Sequence, residues 1–122
     1  MLPIKHASER QEQAAVIQWM KLQHPWLVNH TIYIMNEKKC SAYVGSKLNA
    51  QGRLPGASDL FIAWPTKSYY GLFIEMKSLI GKATKIQLDF LKRMENVGYF
   101  SCCCIGSDNA IATIAAYLAN KS

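Results

Sequence analysis

The alternation of extended and helical segments predicts an α/β fold: a small mixed β-sheet flanked by helices, in the order α-β-β-β-α-β-α. Two observations carry this. Four short runs are rich in β-branched and aromatic residues, and three longer runs carry apolar stripes at helical spacing between recognisable caps. A third bounds the size, since 122 residues, 50% hydrophobic and 18% charged, make one domain over 1–122 with a real core.

The first helix starts after Ser8, whose hydroxyl can cap, with Gln11 three residues on as in a capping box. It ends near Gln23, because a residue before proline avoids helical geometry and His24 precedes Pro25. Its inward stripe is Val16, Ile17 and Met20, continued toward the N-terminus by Gln13 and Glu9. Thr31-Ile32-Tyr33-Ile34-Met35 reads as a strand. From Asn36 to Ser58 the chain is polar, basic and punctuated by glycine, with one helical turn expected around Lys47-Leu48-Asn49. Leu60 to Trp64 and Tyr70 to Lys77 form a hairpin whose turn is Pro65-Thr66-Lys67-Ser68. A helix then runs from about Lys85 to Val97, capped by Thr84 and stopped by Gly98. Tyr99 to Ile105 is a strand, and Asn109 to Ala119 a last helix with Ile111, Ile114, Ala115 and Leu118 inward.

Composition narrows the function classes. Fourteen Lys and Arg against eight Asp and Glu give a net charge of +6, which suits a polyanion, nucleic acid before an anionic membrane surface. No apolar run reaches the ~18–20 residues of a membrane span, and the N-terminus turns polar at once, so the expectation is a soluble, cytoplasmic protein with no membrane partner. Cys102, Cys103 and Cys104 in a row, with Cys40 apart, form neither a disulfide framework nor a zinc-ligand spacing. In a strand, Cys102 and Cys104 share one face and Cys103 takes the other, as small core residues. His6, His24 and His30 have no metal-finger spacing, and Gly81-Lys82 lacks the rest of a P-loop.

The hairpin carries the chemistry. Counting back from its turn sets Asp59 opposite Ile74 or Glu75, so two carboxylates meet across neighbouring strands. Like charges so placed destabilise a sheet, and a hard divalent cation would compensate. Glu75 and Lys77 share a strand face, while Leu72, Ile74 and Met76 take the other. Two carboxylates holding Mg²⁺ or Mn²⁺, with a lysine to orient or deprotonate the attacking water, are the parts of phosphodiester hydrolysis. Lys38, Lys39, Lys47 and Arg53 stand against Glu37 alone in the polar stretch and are candidates for phosphate contact.

The pattern Leu54-Pro55-Gly56-Ala57-Ser58-Asp59-Leu60 followed by Gly71-Leu72-Phe73-Ile74-Glu75-Met76-Lys77 resembles the PD-(D/E)XK nuclease core, and within it the VRR-NUC branch in its small, stand-alone, phage-type form. Lys47 to Gly52, Gly81-Lys82-Ala83-Thr84-Lys85-Ile86-Gln87 and the early Glu9 to Gln13 extend the resemblance from Ser8 to Leu118. Ser58 departs from it, standing where that family usually has proline. The resemblance implies a restriction-endonuclease-like domain that cuts DNA with Mg²⁺ or Mn²⁺, often structure-selectively, as a homodimer. It implies Asp59 and Glu75 as metal ligands with the Met76 carbonyl as a third, and Lys77 as the catalytic lysine. Glu9 would reach the metal directly or through water, with Glu12 the alternative. Gln87 would join the site, with Asn36 nearby and Lys82 beside the DNA.

Each assignment has a plainer rival. Asp59 could be a strand-start residue, Glu75 an edge-strand acid, Lys77 an exposed lysine of little consequence for stability, and Glu9 a first-turn acid favoured by the helix dipole. Thr84 and Gln87 have capping-box spacing, which alone would account for Gln87. At the level of function, the alternative is a catalytically inactive DNA-binding module on a nuclease-like fold.

Overall fold

The computed structural model describes residues 6–35 and 41–120. The first helix, α1 (Glu9–Gln23), has the expected capping box: Ser8 Oγ accepts from Gln11 N at 3.1 Å and Ser8 N donates to the Gln11 side chain at 2.8 Å. Pro25 ends α1 and at once opens another helical turn, α2 (Pro25–Val28), because a proline at the first position has no N–H to satisfy. That turn was not expected, and it buries Leu27. The strand β1 is shorter than its sequence suggests, Thr31–Tyr33.

The polar stretch holds more than one helical turn. Helix α3 (Ala42–Ala50) is capped by Ser41, whose Oγ accepts from Val44 N at 3.1 Å. Its signal was weak because, of its residues, only Gly45 is buried and no apolar stripe marks it.

The hairpin consists of β2 (Leu60–Ile62) and β3 (Leu72–Lys77). Its connection is wider than the expected turn, and Ala63, Trp64, Tyr70 and Gly71 lie outside the ladder. Thr66 closes its tip, with its N–H on Tyr69 O at 2.9 Å and its Oγ1 accepting from Tyr69 N at 3.1 Å. Helix α4 (Lys85–Asn96) follows, stopped as expected at Gly98, whose φ of 104° few other residues would adopt. Then come β4 (Phe100–Ile105) and α5 (Ser107–Ala119). The buried stripe of α5 is Ala110, Ile114 and Tyr117, rotated from the expected one. Ile111 and Leu118 flank it half-buried, whereas Ala115 is exposed. The aromatic Tyr117 takes the central position because its hydroxyl can donate to Trp64 O, at 2.6 Å.

The sheet order is β1-β2-β3-β4, with β1 and β2 antiparallel to their successors and β3 parallel to β4. On one face Leu60, Ile62, Leu72, Ile74, Met76 and Cys104 join Val16 and Met20 of α1 and Ala110, Ile114 and Tyr117 of α5 in the main core. On the other face a smaller cluster gathers Ala57, Phe73, Phe90 and Leu91 under α4. Cys102 and Cys104 point to the first face with sulfurs 3.6 Å apart, and Cys103 to the second, as strand alternation requires.

Candidate active site

Strand β3 is interior to the sheet and all six of its residues are buried. The rival account of Glu75 as an edge-strand acid therefore fails. Leu60 pairs with Ile74, so the next step of the antiparallel register sets Asp59 against Glu75. Asp59 sits one residue before β2 and stitches three strands together. Its carbonyl accepts from Ile34 N at 2.8 Å, just past β1, and its Oδ2 accepts from Met76 N of β3 at 2.8 Å. The carboxylate thus takes the place of a backbone acceptor where the ladder stops.

The loop ahead of Asp59 is held against the start of α4. Gly56 has φ +84°, and a Cβ there would lie 2.3 Å from Ile86 Cγ2 and 2.7 Å from the Ile86 carbonyl, so glycine alone lets the two segments touch. The capping box of Thr84 and Gln87 fixes the α4 end of that contact, with Thr84 N on Gln87 Oε1 at 2.9 Å and Gln87 N on Thr84 Oγ1 at 3.3 Å. Gln87 is buried, and its side-chain oxygen serves the cap.

Lys77 is buried too, at 5% exposure, beside Glu75 at 1%. This corrects the expectation of an exposed, energetically idle lysine. Its Nζ lies 3.2 Å from Glu9 Oε1 and 3.9 Å from Glu75 Oε1, so it is a shared counter-charge for an acid of α1 and an acid of its own strand. Such an ammonium loses hydration and regains it as Coulomb energy, and its removal would leave Glu75 buried beside Asp59 with less compensation.

Between the two acids of the first helix, Glu9 is the one at Lys77, while Glu12 Oε2 accepts from Ser107 N. The cap residue of α5 is Gly106, which offers no side chain, and the Glu12 carboxylate serves that end in its stead. Gly106 N donates to Lys77 O at 2.9 Å, so α1, β3 and α5 meet at one point. Nothing in the spacing of Glu12 announced this role, because its partner is 95 positions away. Cys103 is the other unforeseen neighbour: it pairs with Glu75 in the parallel register. Burial first, then the Glu75 carboxylate, push its thiol above the usual range, keeping it protonated.

Lys47 and Arg53 belong to α3 and its end. Lys47 Nζ lies 5.7 Å from the Tyr43 ring centroid, and Arg53 Nε donates to Asn49 Oδ1 at 2.9 Å. Lys82 is exposed in the loop between β3 and α4. Asn36, Lys38 and Lys39 lie outside the described residues.

Among the described residues no three His, Cys, Asp or Glu side chains gather closely enough to hold a metal by themselves. Asp59 and Glu75 nevertheless suit a hard divalent cation, since Mg²⁺ is commonly bound by one or two carboxylates, with waters and substrate phosphate completing its shell. Glu9 stands at Lys77 rather than in a three-acid group.

A four-stranded mixed sheet with one acid just before β2, another facing it on the interior strand β3 and a buried lysine at that strand's end has the build of a nuclease-type α/β domain. The VRR-NUC domain model matches residues 7–108, and the chain belongs to the VRR-NUC family. Its fold is similar to that of a solved VRR_NUC domain protein, with a TM-score of 0.87 and 25% identity over 98% of this chain and 94% of that one. No curated protein matches the sequence. No helix among the described residues is long and apolar enough to cross a membrane.

Proposed function

We propose that this chain is a Mg²⁺- or Mn²⁺-dependent DNA endonuclease that hydrolyses phosphodiester bonds at the end of β3. The observation that carries the reading is the burial of Glu75 and Lys77 side by side, next to an Asp59 whose carboxylate is oriented by Met76 N. A stability-driven sequence would place apolar residues there, as the opposite face of the same strand does.

Asp59 and Glu75 would hold the cation, with the Met76 carbonyl as a third donor and Glu9 acting through water. A bound cation supplies Lewis-acid polarisation of the phosphoryl oxygen and a more acidic coordinated water. Lys77 would orient the attacking water and offset the charge that grows on the phosphate, while Glu9 and Glu75 hold its ammonium in place. Gln87 acts by position: its cap keeps the start of α4 against Gly56 and so keeps the Asp59 loop in register. Lys47, Arg53 and Lys82, with Asn36, Lys38 and Lys39, would grip phosphates on the approach.

Selectivity for branched or junction DNA and a two-fold homodimer complete the reading. The edge strand β1 leaves Ile32 and Tyr33 more than half exposed, a surface open to pairing with a second copy. Incubation with plasmid, linear duplex and branched DNA, with Mg²⁺, Mn²⁺ or EDTA, tests it. Cutting that needs the metal and vanishes in EDTA is expected. DNA binding without cutting in any metal would leave the inactive binding module instead.

A further inference from the structure

At the other end of the hairpin a group of aromatic rings lies partly open to solvent. Trp26 is lifted by α2 and stays 43% exposed, and Trp64, just past β2, stays 37% exposed. Their ring centroids are 4.7 Å apart. His24 lies edge-on to Trp26 at 6.0 Å, and His30 edge-on to Trp64 at 5.1 Å. By contrast Trp19, which meets His24 at 5.2 Å, is packed against the main core.

We infer that the Trp26–Trp64 ring group is a stacking site for an unpaired nucleobase, so that the preferred substrate carries a single-stranded segment near the scissile bond. This deepens the nuclease reading and rests on it. Three observations support it. The rings ride on fixed backbone: Tyr117 Oη donates to Trp64 O at 2.6 Å, Ala63 N to His30 O at 2.7 Å, and His24 N to Met20 O at 2.8 Å. Rings held in advance lose little freedom when a base stacks on them.

The charge also fits a polyanion. No Asp or Glu occurs in 13–36 or in 60–74, the two segments that supply the rings, whereas Lys21 and Lys67 flank them, both exposed. Aromatic rings on segments that carry lysine and no acid are the elements of single-strand binding, because every base has a π-face and every link a phosphate. The position is the third support. Trp64 lies five residues along the extended chain from Asp59, on the order of 16 Å. Trp64 continues the Leu60 and Ile62 side of its strand whereas Glu75 and Lys77 take the other, so a bound strand would pass round the β1 edge of the sheet to stack one base at the rings with its backbone at the acids.

The test is binding in EDTA, followed by anisotropy of labelled oligonucleotides: one short single strand and one blunt-ended linear duplex with no unpaired base. For Trp26→Ala/Trp64→Ala we expect about tenfold or greater weakening on the single strand, the scale of one lost stacked base, and little change on the duplex. Trp26→Tyr/Trp64→Tyr should keep most of the single-strand affinity. If the alanine pair does not fold by circular dichroism, Trp26→Ala alone and the tyrosine pair carry the comparison. Equal weakening on both DNAs, or none on either, overturns the inference. So does loss of self-association in sedimentation with unchanged single-strand affinity, which would make the rings a protein contact. Wild-type protein that binds single strands through these rings but cuts nothing with metal would sink the nuclease reading, leaving the rings a single-strand binding site and overturning only the link to a scissile bond.

Discussion

On one face of β3, Leu72, Ile74 and Met76 are fully buried beneath α1 and α5. On the other, Phe73 is followed by Glu75 and Lys77, equally enclosed but charged. One strand thus spends alternate residues on two incompatible tasks. The apolar face gains roughly 1.5–3 kcal/mol for each large side chain withdrawn from water. The charged face at best breaks even, since each buried ion loses several kcal/mol of hydration before its partners return it. A fold tolerates the second face when the first is well packed, and the contrast is what the proposed role of Glu75 and Lys77 rests on.

The contrast breaks most sharply at Lys77. Lys77→Ala should lower turnover on DNA by ~10²–10⁴, the usual loss of an electrostatic or proton-transfer group, with a much smaller change in DNA affinity. It should also lower the unfolding free energy by about 3 kcal/mol, since buried Glu75 loses a counter-charge. Cleavage assays below the melting transition, beside urea unfolding, separate the two effects. Near-normal cutting by folded Lys77→Ala would remove the assignment of this lysine.

Ile74 supplies the complementary case, one residue before Glu75 and on the opposite face. Ile74→Ala should cost about 2–5 kcal/mol in urea denaturation, because it opens a cavity in the main core. Cleavage per folded molecule should stay near wild type at low temperature. A loss of turnover as large as that of Lys77→Ala would mean that the two faces are not separable.

Glu12 probes the seam between the faces. Glu12→Ala should cost about 0.5–2 kcal/mol, the usual loss of a helix cap, with the effect concentrated at the start of α5. Hydrogen exchange at Ser107 and Asp108 should quicken more than in the middle of that helix. Unchanged protection there would rule out the cap.

How much of this was legible follows from the range of the interactions. Both capping boxes, the glycine stop of α4 and the facing of Asp59 and Glu75 depend on neighbours a few residues apart or on one hairpin, and the sequence contains them. Helix α3 shows in the sequence only as a turn because it buries almost nothing, leaving no periodic stripe to read. The α5 stripe differs from the one expected because Tyr117 turns inward, where its hydroxyl finds Trp64 O from across 53 positions. The burial of Lys77 is not legible in the sequence because alternation says which face a side chain takes, not whether a distant helix covers it. The acid that covers it, Glu9, comes from the far end of the chain.

Ser58 gives the smallest and most local test. It lies beside Asp59 at 1% exposure, and its Oγ has no hydrogen-bond partner among the described residues. A buried hydroxyl without a partner costs about 1–3 kcal/mol of lost hydration. Ser58→Ala removes that hydroxyl and changes the volume by little more than one oxygen, so the lost packing is small beside the penalty relieved. The variant should therefore be more stable by about 0.5–1 kcal/mol, a rise of a few degrees in melting temperature. Asp59 keeps its bond from Met76 N, so Mg²⁺ affinity by calorimetry should not move. This sets Ser58 apart from its neighbour: Asp59→Asn should weaken Mg²⁺ while leaving an oxygen to accept from Met76 N. A Ser58→Ala protein that melted lower than wild type would show that the hydroxyl does have a partner in solution, and the loop before Asp59 would then owe part of its shape to it.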